Sequence, residues 1–552
     1  MVERGALSIM AVVRFSRKDL EKLVGRKITD NEYHELIPML GTPVESYDKN
    51  YVEFEIFPNR PDLLAIEGMA RALQGFLGLK KGPINYNVRK SNYKVIIDKS
   101  VKDRKFAAFA VVKGMKFDDE LIAEFMQLQE KLAVTIGRKR KKASIGSYDI
   151  KNVEWPVKYT TKNKSHKFVP LAFESERTIE KTLNEHPKAI EYSHLMQGLK
   201  SYGVYEDAKG RTMSLLPITN AEFSKIDTGT KDMLIEVTGN EMKAVEEMLN
   251  VVATALHDRG LELYEVTVEY PEGSKKFPNL KGREISLDIN YANKLLDLNM
   301  KSSEIKSALE KMRYGISGDK ITIPAYRTDI MHQIDLVEDI AISHGYWRFE
   351  PRIPDIPSVA KPDPAVDKML FLARALAGLR LQEVKNFILS NTEREFGMLR
   401  RKRENCVEIE NPKTSDYTCL RASLAPGLLW TLSRNASSEM PHRIFEAGAV
   451  AKLDKSSETG AVNENRIAAA LSHTGAGFSE IKSLFEAFMR STGTPFALKE
   501  SKDPLFIEGR AAEVVANGKA IGAFGEVHPE VLDNFGIGVG VTLFEIKVEG
   551  LE

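Results

Sequence analysis

Cysteine is almost absent from this sequence of 552 residues, in which only Cys406 and Cys419 occur. Two cysteines in so long a chain exclude a disulfide framework and a cysteine-rich zinc site, and they fit a reducing, cytoplasmic location. Long apolar runs are also missing: no stretch approaches the roughly 20 residues that span a bilayer. The first residues lack the apolar segment of a signal peptide. We therefore expect a cytoplasmic protein without a membrane partner.

An excess of charge of one sign is missing as well. Lysine and arginine number 79 against 78 aspartates and glutamates, which leaves a net charge of +1. A balanced chain can still carry a local basic surface, so this value neither supports nor excludes RNA binding. The length is too great for one hydrophobic core and predicts three to five domains.

The most informative stretch of the sequence runs from residue 327 to residue 350 and is rich in acidic residues. Asp335, Glu338 and Asp339 stand at i, i+3 and i+4, so a helix would place their carboxylates on one face. Asp329 lies just upstream and can fold back to the same place. Oxygen donors without histidine or cysteine favour Mg²⁺ over zinc. Acidic residues in a first helical turn also offset the helix dipole, so spacing alone leaves both interpretations open.

This stretch resembles the R-x-D-I-x-x-x-x-D-L-[IV]-E-D-[IV]-A-x-x-x-G-Y signature of phenylalanyl-tRNA synthetase β subunits of the archaeal and eukaryotic type. The resemblance implies a Mg²⁺ site that is shared with the α subunit. It places Asp329, Asp335, Glu338 and Asp339 at the ligand positions. The family pattern begins near Met10, which indicates Met10 as an alternative start to Met1.

A second motif follows an alternating segment, Tyr51 to Ile56, that predicts a strand. It reads N-R-P-D from Asn59 and resembles a motif near the start of these β subunits. We interpret Asn59, Arg60 and Asp62 first as residues that shape a turn and second as partner contacts. Earlier, Ser16 is predicted to cap a helix, with Asp19 completing a capping box.

The sharpest basic run, G-R-K-R-K-K, spans Gly137 to Lys142. A solvated loop is one interpretation, and contact with several phosphates is the other. The run and the residues after it resemble the family pattern G-R-x-R-x-x-x-x-I-G-x-Y-D. In the family this module hydrolyses mischarged Tyr-tRNA.

Further along, residues 216–239 resemble the editing pocket of the family. The resemblance implies a polar site for which we select Asn220, Asp232, Glu236 and Thr238. A site that pairs the tyrosine hydroxyl discriminates strongly, because phenylalanine leaves its polar groups unpaired. Side chains of this kind also end strands and turns through local hydrogen bonds. The family often has serine where this chain has Ala221, which places one hydrogen bond of the site in question.

The C-terminal part resembles a class II synthetase core that has lost its chemistry. The strand that would carry an arginine for the ATP α-phosphate reads Arg443-Ile444-Phe445-Glu446. The glycine-rich segment from Gly536 to Gly540 is followed by no arginine and predicts a tight loop. His528 is interpreted as a turn residue. ATP is therefore expected to be used by the complex and bound by the α subunit.

The predicted fold is multidomain α+β. It comprises an N-terminal α/β domain (1–85), a mixed α/β editing-like domain (86–270), a Mg²⁺-binding winged-helix-like domain (271–352), a proline-rich linker (353–364) and a non-catalytic class II synthetase-like antiparallel sheet domain (365–552). Five prolines between Pro351 and Pro364 exclude a helix in the linker. The third domain lacks a basic recognition helix, so DNA is not an expected partner.

The resemblance implies the β subunit of an α₂β₂ phenylalanine–tRNA ligase that charges tRNA(Phe) in two steps. Activation of the amino acid would occur in the α chain, while this chain would supply scaffold, Mg²⁺ ligands, tRNA contacts and editing of Tyr-tRNA(Phe). The alternative is a free-standing RNA-binding or trans-editing protein, which accounts for the basic run but not for a degenerate synthetase core.

Overall fold

The computed structural model describes residues 11–551, so the expected start at Met10 lies outside the described residues. The chain divides into two compact units, the first ending at Ile353 and the second beginning at Pro354. The division falls at the start of the proline-rich segment. Between residues 11 and 551 no helix has both the length and the apolar character needed to cross a membrane.

The first unit opens with a small antiparallel sheet and two helices. The elements are β1 (Ala11–Ser16), α1 (Arg17–Val24), β2 (Val44–Tyr47), β3 (Tyr51–Ile56) and α2 (Ile66–Phe76), with short helical turns at Glu32–Leu36, Ile37–Leu40 and Pro61–Leu64. The sheet order is β1-β3-β2. Every second residue of β3 is buried, so the alternation in sequence corresponds to a strand with one buried face.

The expected capping box at α1 does not form. Ser16 occupies the N-cap, but its side chain makes no capping hydrogen bond. Its backbone N–H instead donates to Glu124 Oε1 at 2.9 Å. Asp19 is drawn away because its carboxylate pairs with Arg259 at 2.8 Å. The long-range ion pair between Asp19 and Arg259 is therefore formed in place of the predicted capping box.

The middle of the first unit contains two larger sheets. In chain order its elements are β4 (Val88–Arg89), β5 (Lys94–Ile97), β6 (Phe106–Lys113), α3 (Asp119–Val134), β7 (Ala143–Asp149), β8 (Val157–Lys162), β9 (Lys167–Phe168), β10 (Arg177–Thr178), α4 (Ile179–Glu185), α5 (Pro187–Tyr192), β11 (Tyr202–Glu206), β12 (Thr212–Leu215), β13 (Thr219–Asn220), β14 (Asp232–Gly239), α6 (Met242–Asp258), β15 (Glu262–Tyr264), β16 (Val266–Tyr270) and β17 (Gly273–Phe277).

One of these sheets has seven strands in the order β13-β12-β11-β8-β5-β16-β17, and the other has five in the order β4-β15-β6-β14-β7. Strand β14 lies between β6 and β7 in the second sheet and pairs antiparallel with both. Helix α6 packs against β6 and β14 and buries an apolar face that includes Val245, Leu249 and Val252. Burial of each such side chain contributes about 1.5–3 kcal/mol, which stabilises the packing of α6 on β6 and β14.

The last part of the first unit is a three-stranded antiparallel sheet with three helices. Its elements are β18 (Arg283–Ser286), α7 (Ile289–Leu296), α8 (Ser302–Lys311), β19 (Gly315–Ser317), β20 (Lys320–Ile323) and α9 (Gln333–His344), in the sheet order β18-β20-β19. The predicted acidic helix is therefore present as α9. His332 caps its first turn through a hydrogen bond from the Ile334 N–H.

The second unit is built on one seven-stranded sheet. Its elements are α10 (Pro364–Gly378), β21 (Gln382–Glu383), β22 (Leu389–Ser390), α11 (Thr392–Glu395), β23 (Cys419–Leu420), α12 (Ala425–Arg434), β24 (His442–Leu453), β25 (Ala461–Ser472), α13 (Phe478–Thr492), β26 (Phe496–Glu500), β27 (Phe506–Ala516), β28 (Lys519–Val527), α14 (Pro529–Phe535) and β29 (Val541–Lys547). The order is β21-β24-β25-β29-β28-β27-β26. All neighbours pair antiparallel except β21 with β24, in agreement with the predicted antiparallel sheet.

Candidate functional site

A buried carboxyl group lies at the centre of strand β14. Glu236 is only 1% exposed. Its Oε2 lies 3.1 Å from the Tyr148 hydroxyl, and Thr238 donates a hydrogen bond to its other oxygen. Burial raises the pKa of Glu236 to about 8, because a charged carboxylate loses its hydration in this setting. The group can therefore hold a proton near neutral pH and donate a hydrogen bond.

The side of Glu236 that faces β7 is bordered by a glycine and by no larger side chain at the paired position. Gly146 of β7 pairs with Glu236, and a Cβ atom at Gly146 would lie 2.8 Å from Glu236 Oε2. Both residues line a cleft of about 600 Å³, which we call the Glu236 cleft. A bulkier residue at Gly146 would cover the carboxyl group.

Asn220 lines the same cleft from strand β13. Its side-chain amide donates to the Ser147 carbonyl oxygen at 2.9 Å, which fixes the orientation of the amide group. Ser214 also lines the cleft, and its hydroxyl lies 3.0 Å from the Tyr148 hydroxyl. Asn220 and Glu236, separated by sixteen positions in sequence, are thus brought to one cleft wall.

Thr238 and Asp232 occupy different places on β14. Thr238 is fully buried behind Glu236, and its hydroxyl lies 2.9 Å from the Tyr205 hydroxyl. Asp232 stands four residues from Glu236, a distance of about 13 Å along a strand. Its carboxylate lies 3.8 Å from the Lys113 ammonium group and accepts a hydrogen bond from the Gly114 N–H. The structure therefore places Asp232 at the strand end, outside the residues that line the Glu236 cleft.

The alanine at position 221 is buried, with 1% exposure, in a small apolar cluster with Phe168, Ile179 and Leu215. Its N–H donates to the Met213 carbonyl oxygen at 2.7 Å. The methyl group therefore packs in an apolar setting, and the backbone bond holds the segment without a side-chain hydroxyl.

Sequence reasoning did not select Arg104, which packs behind the same strand. Its guanidinium donates to the Thr238 carbonyl oxygen at 2.6 Å and to Ser144 Oγ at 2.7 Å. Arg104 lies 132 positions from Glu236, and nothing in its local sequence marks it. Tyr148, by contrast, belongs to the G-x-Y-D part of the motif, so the pattern offered a signal that we did not use.

The basic run forms a tight turn after helix α3. Arg138, Lys139 and Arg140 all have a left-handed backbone, with φ values of 48°, 53° and 63°. The Arg140 side chain enters the wall of the Glu236 cleft and donates to the carbonyl oxygens of Pro217 and Ile218, both at 3.0 Å. The run is therefore a structured element at the cleft and not only a solvated loop.

The four predicted metal ligands each have a partner within the chain. Arg327 binds Asp329 through two hydrogen bonds of 2.9 and 2.7 Å and lies 2.7 Å from Asp339. Asp335 accepts from two backbone N–H groups that precede α9, at 2.7 and 2.8 Å. Glu338 is exposed and accepts from the Tyr346 hydroxyl at 2.7 Å. Across the described chain no group of three or more histidine, cysteine, aspartate or glutamate side chains is arranged to hold a metal ion.

The N-R-P-D motif belongs to a buried ion-pair network. Arg60 binds Asp62 through two hydrogen bonds of 2.9 Å within the turn. Arg71 of α2 lies 3.6 Å from Asp62 and 2.5 Å from Asp258 of α6. Buried charges are tolerated only when paired in this way. The motif therefore shapes its turn, as predicted, and also ties α2 to α6.

In the second unit, the segment Arg443 to Glu446, where the resemblance predicts the loss of an ATP-binding arginine, belongs to strand β24. Ile444 is buried, with 7% exposure. Arg443 turns instead toward Glu480 and the Leu379 carbonyl oxygen, both at 3.4 Å. His528 is the N-cap of α14, and its ring accepts a hydrogen bond from the Glu530 N–H.

Two protein-family models match parts of this chain. Residues 285–346 match the family described as tRNA synthetase B5 domain. Residues 350–548 match the phenylalanyl tRNA synthetase beta chain CLM domain. The two matches fall on α9 with its small sheet and on the second unit.

Whole-length relatives are similar throughout. The phenylalanine–tRNA ligase beta subunit of Archaeoglobus fulgidus is 40% identical over 547 residues, which cover 98% of each chain. That of Pyrococcus horikoshii is 38% identical, over 97% of this chain and 98% of the relative. The crystal structure of an N-terminal fragment of the phenylalanyl-tRNA synthetase beta-subunit from Pyrococcus horikoshii superposes with a TM-score of 0.59 at 36% identity. It covers 60% of this chain and 99% of the fragment.

Proposed function

Because this chain belongs to the family of phenylalanine–tRNA ligase beta subunits, we propose that its first unit edits Tyr-tRNA(Phe) while the assembled enzyme charges tRNA(Phe). The family is one of aminoacyl-tRNA synthetases, and membership implies an α-subunit partner and a tRNA. Reactions of this class use ATP and Mg²⁺. The observation that carries the proposal is the buried Glu236 carboxyl group at the wall of an open cleft.

Glu236 fits the task of recognising a phenol hydroxyl. With a pKa of about 8 it can donate a hydrogen bond as a neutral acid or accept one as a carboxylate. A bound tyrosine would add a hydrogen bond to this carboxyl group, whose oxygens already accept from the Tyr148 and Thr238 hydroxyls. Phenylalanine would lie against the carboxyl group without that bond, a difference of about 0.5–3 kcal/mol. Discrimination between the two amino acids follows from this difference.

Asn220 and Thr238 complete the proposed site. The Asn220 amide is held by the Ser147 carbonyl oxygen, so its side-chain oxygen has a fixed direction in the cleft. It can accept a hydrogen bond from the substrate or from the attacking water. Thr238 holds the Glu236 carboxyl group from behind. Asp232, the fourth selected residue, has a supporting role in this proposal, at the end of β14.

The proposal is tested with the assembled α–β enzyme. Purified enzyme is incubated with Tyr-tRNA(Phe) or Phe-tRNA(Phe), and release of the amino acid is followed. We expect rapid hydrolysis of Tyr-tRNA and slow hydrolysis of Phe-tRNA. Equal rates for the two substrates would contradict the assignment.

We also propose that a Mg²⁺ ion binds at the surface of α9. The donor set is chemically suitable, since carboxylate oxygens are preferred by Mg²⁺. Asp329 and Asp339 already share the Arg327 counter-charge, so Asp335 and Glu338, at i and i+3, are the members of the set that would hold the ion. The ion would neutralise these carboxylates at a contact with the α subunit. Arg327 keeps the loop and the helix together without it.

The second unit serves in this proposal as a non-catalytic, partner-facing domain of an α₂β₂ assembly, with ATP bound by the α subunit. The buried Ile444 and the engaged Arg443 support this assignment. A free-standing trans-editing protein is not favoured, because the second unit matches the beta-chain CLM domain of the two-subunit enzyme.

A further inference from the structure

A second cleft lies behind the wall of the Glu236 cleft. It has a volume of about 320 Å³, within the range of small-molecule sites. The two clefts share Leu216 and Pro217 in their walls. We call the second one the Arg104 cleft, and the editing proposal above assigns no role to it.

The Arg104 cleft has more cations than carboxylates in its lining. Its wall contains the cations Lys102, Arg104 and Lys141 against one carboxylate, Asp103. Arg104 Nε is buried and has no hydrogen-bond partner among residues 11–551. A buried cation with an unsatisfied N–H group favours an anionic ligand, since such a ligand supplies both the charge and the acceptor.

The basic turn connects the two clefts physically. Arg140 lines the Glu236 cleft, whereas Lys141, the next residue, lines the Arg104 cleft. The Arg140 carbonyl oxygen accepts from Arg104 at 2.8 Å, and the Lys141 carbonyl oxygen accepts from Asn240 at 3.2 Å. A left-handed backbone is strained at residues other than glycine. Contacts on both sides therefore maintain a strained turn that directs neighbouring cations into neighbouring cavities.

Part of the wall of the Arg104 cleft is apolar. Leu195, Met196 and Leu199, from the segment after α5, line it together with Leu216. A lining that combines cations with aliphatic side chains suits a ligand that has a phosphate at one end and a flat, weakly polar ring at the other. A nucleotide has this chemistry.

We propose that the Arg104 cleft binds a phosphate-bearing ribonucleotide of the tRNA acceptor strand while the terminal aminoacyl nucleotide lies in the Glu236 cleft. The proposal rests on the editing function proposed above. Lys102, Arg104 and Lys141 contact the phosphate, and the apolar wall receives the ribose and base. The basic turn then sets the distance between the terminal nucleotide and the one that precedes it.

The test uses the assembled α–β enzyme with the double substitution Lys102→Gln and Lys141→Gln. We expect KM for Tyr-tRNA hydrolysis to rise about tenfold and kcat to stay within twofold, because binding is lost while Glu236 is untouched. The slope of log KM against log salt should decrease by about 0.7 for each phosphate contact removed. Ser100→Glu, which adds a negative charge to the same wall, should raise KM further.

The matched control is Lys116→Gln with Lys275→Gln, two exposed lysines outside both clefts. An unchanged KM in the cleft variants, or an equal rise in the control, overturns the proposal. A filter-binding assay with an acceptor-stem minihelix that ends in CCA separates this proposal from the editing proposal. If the wild-type enzyme fails to hydrolyse Tyr-tRNA, the editing function is lost. The cleft assignment then stands when minihelix binding depends on Lys102 and Lys141, and falls when it does not.

Discussion

The Arg327 guanidinium lies 2.7 Å from the Asp339 carboxylate, and both side chains are at most 5% exposed. The same guanidinium holds Asp329 through two hydrogen bonds, and Tyr314 donates a hydrogen bond to Asp339. One arginine therefore joins the loop before α9 to the body of that helix. Arg327 therefore supplies, from within the chain, the positive charge that balances Asp339 of the acidic helix.

Asp339→Asn should destabilise the chain to the same extent with Mg²⁺ and with EDTA. The substitution leaves the buried Arg327 with one carboxylate in place of two, and breaking a buried pair costs about 3–5 kcal/mol. We expect about 2–3 kcal/mol, since Asp329 remains. Urea unfolding in both buffers measures the loss. A loss confined to Mg²⁺ would mean that Asp339 acts mainly as a metal ligand.

Glu338→Gln is the matched substitution on the same helix. Glu338 is exposed and does not pair with Arg327. We expect unchanged stability in EDTA and the disappearance of any stabilisation that Mg²⁺ gives to the α–β enzyme. Thermal unfolding of the assembled enzyme across a Mg²⁺ titration checks this. An intact Mg²⁺ effect in the variant would remove Glu338 from the proposed site.

Glu236→Gln should slow hydrolysis of Tyr-tRNA about 10- to 100-fold while phenylalanine charging stays within twofold. The amide keeps the volume of the carboxyl group but changes the hydrogen bonds that it offers to a phenol, and tenfold corresponds to about 1.4 kcal/mol. Single-turnover deacylation and steady-state aminoacylation measure the two activities. Glu269→Gln, on the surface of β16, is the control. Normal hydrolysis in Glu236→Gln would reduce Glu236 to a structural role.

The stability of the wild-type chain should fall between about pH 5 and pH 8 through Glu236. Its pKa is about 8 in the folded state, whereas a free glutamate titrates near 4.3. In this window the folded chain holds a proton that the unfolded chain has released, so stability declines by up to about 1.4 kcal/mol per pH unit. The Glu236→Gln variant has no titrating group at this position, so its free energy of unfolding should lack this decline with pH. Urea midpoints of both proteins at several pH values test it, and parallel curves would refute it.

Gly146→Ala should close the Glu236 cleft at its wall. The added Cβ atom would lie 2.8 Å from Glu236 Oε2 and 2.9 Å from the Tyr148 hydroxyl oxygen. We expect a loss of about 1–3 kcal/mol from overpacking and a larger loss of Tyr-tRNA hydrolysis than of charging. Gly538→Ala, where no atom lies within 4 Å, should change neither. Undiminished hydrolysis in Gly146→Ala would show that the substrate does not approach Glu236 over this residue.

The chain alone should form no phenylalanyl-adenylate. Ile444 is buried and Arg443 is turned toward Glu480, so the strand presents no guanidinium to an ATP phosphate. ATP–pyrophosphate exchange with the purified chain should remain at background and should appear when the α subunit is added. Exchange by the chain alone at the rate of the assembled enzyme would contradict this view of the second unit.

Several features follow from the sequence because they depend on neighbouring residues. The apolar period of residues 336–341 specifies a helix, and alternation in Tyr51–Ile56 specifies a strand with one buried face. The order of the motifs was sufficient to identify the family, and the selection of Glu236 and Asn220 followed from that resemblance. These features depend on local residue patterns and on the order of the motifs, so they can be predicted without knowing which residues pack against them.

Tertiary structure decided which of these groups meet. Asp232 and Glu236 share a strand, yet only Glu236 faces a glycine across the sheet and thereby lines the cleft. Arg104 reaches the same strand from 132 positions away, and Arg327 pairs with two carboxylates that the family resemblance implied as metal ligands. Burial and charge pairing depend on long-range contacts, and a buried carboxylate pairs with the nearest available cation. Local spacing cannot reveal which cation that is, because the fold alone brings it there.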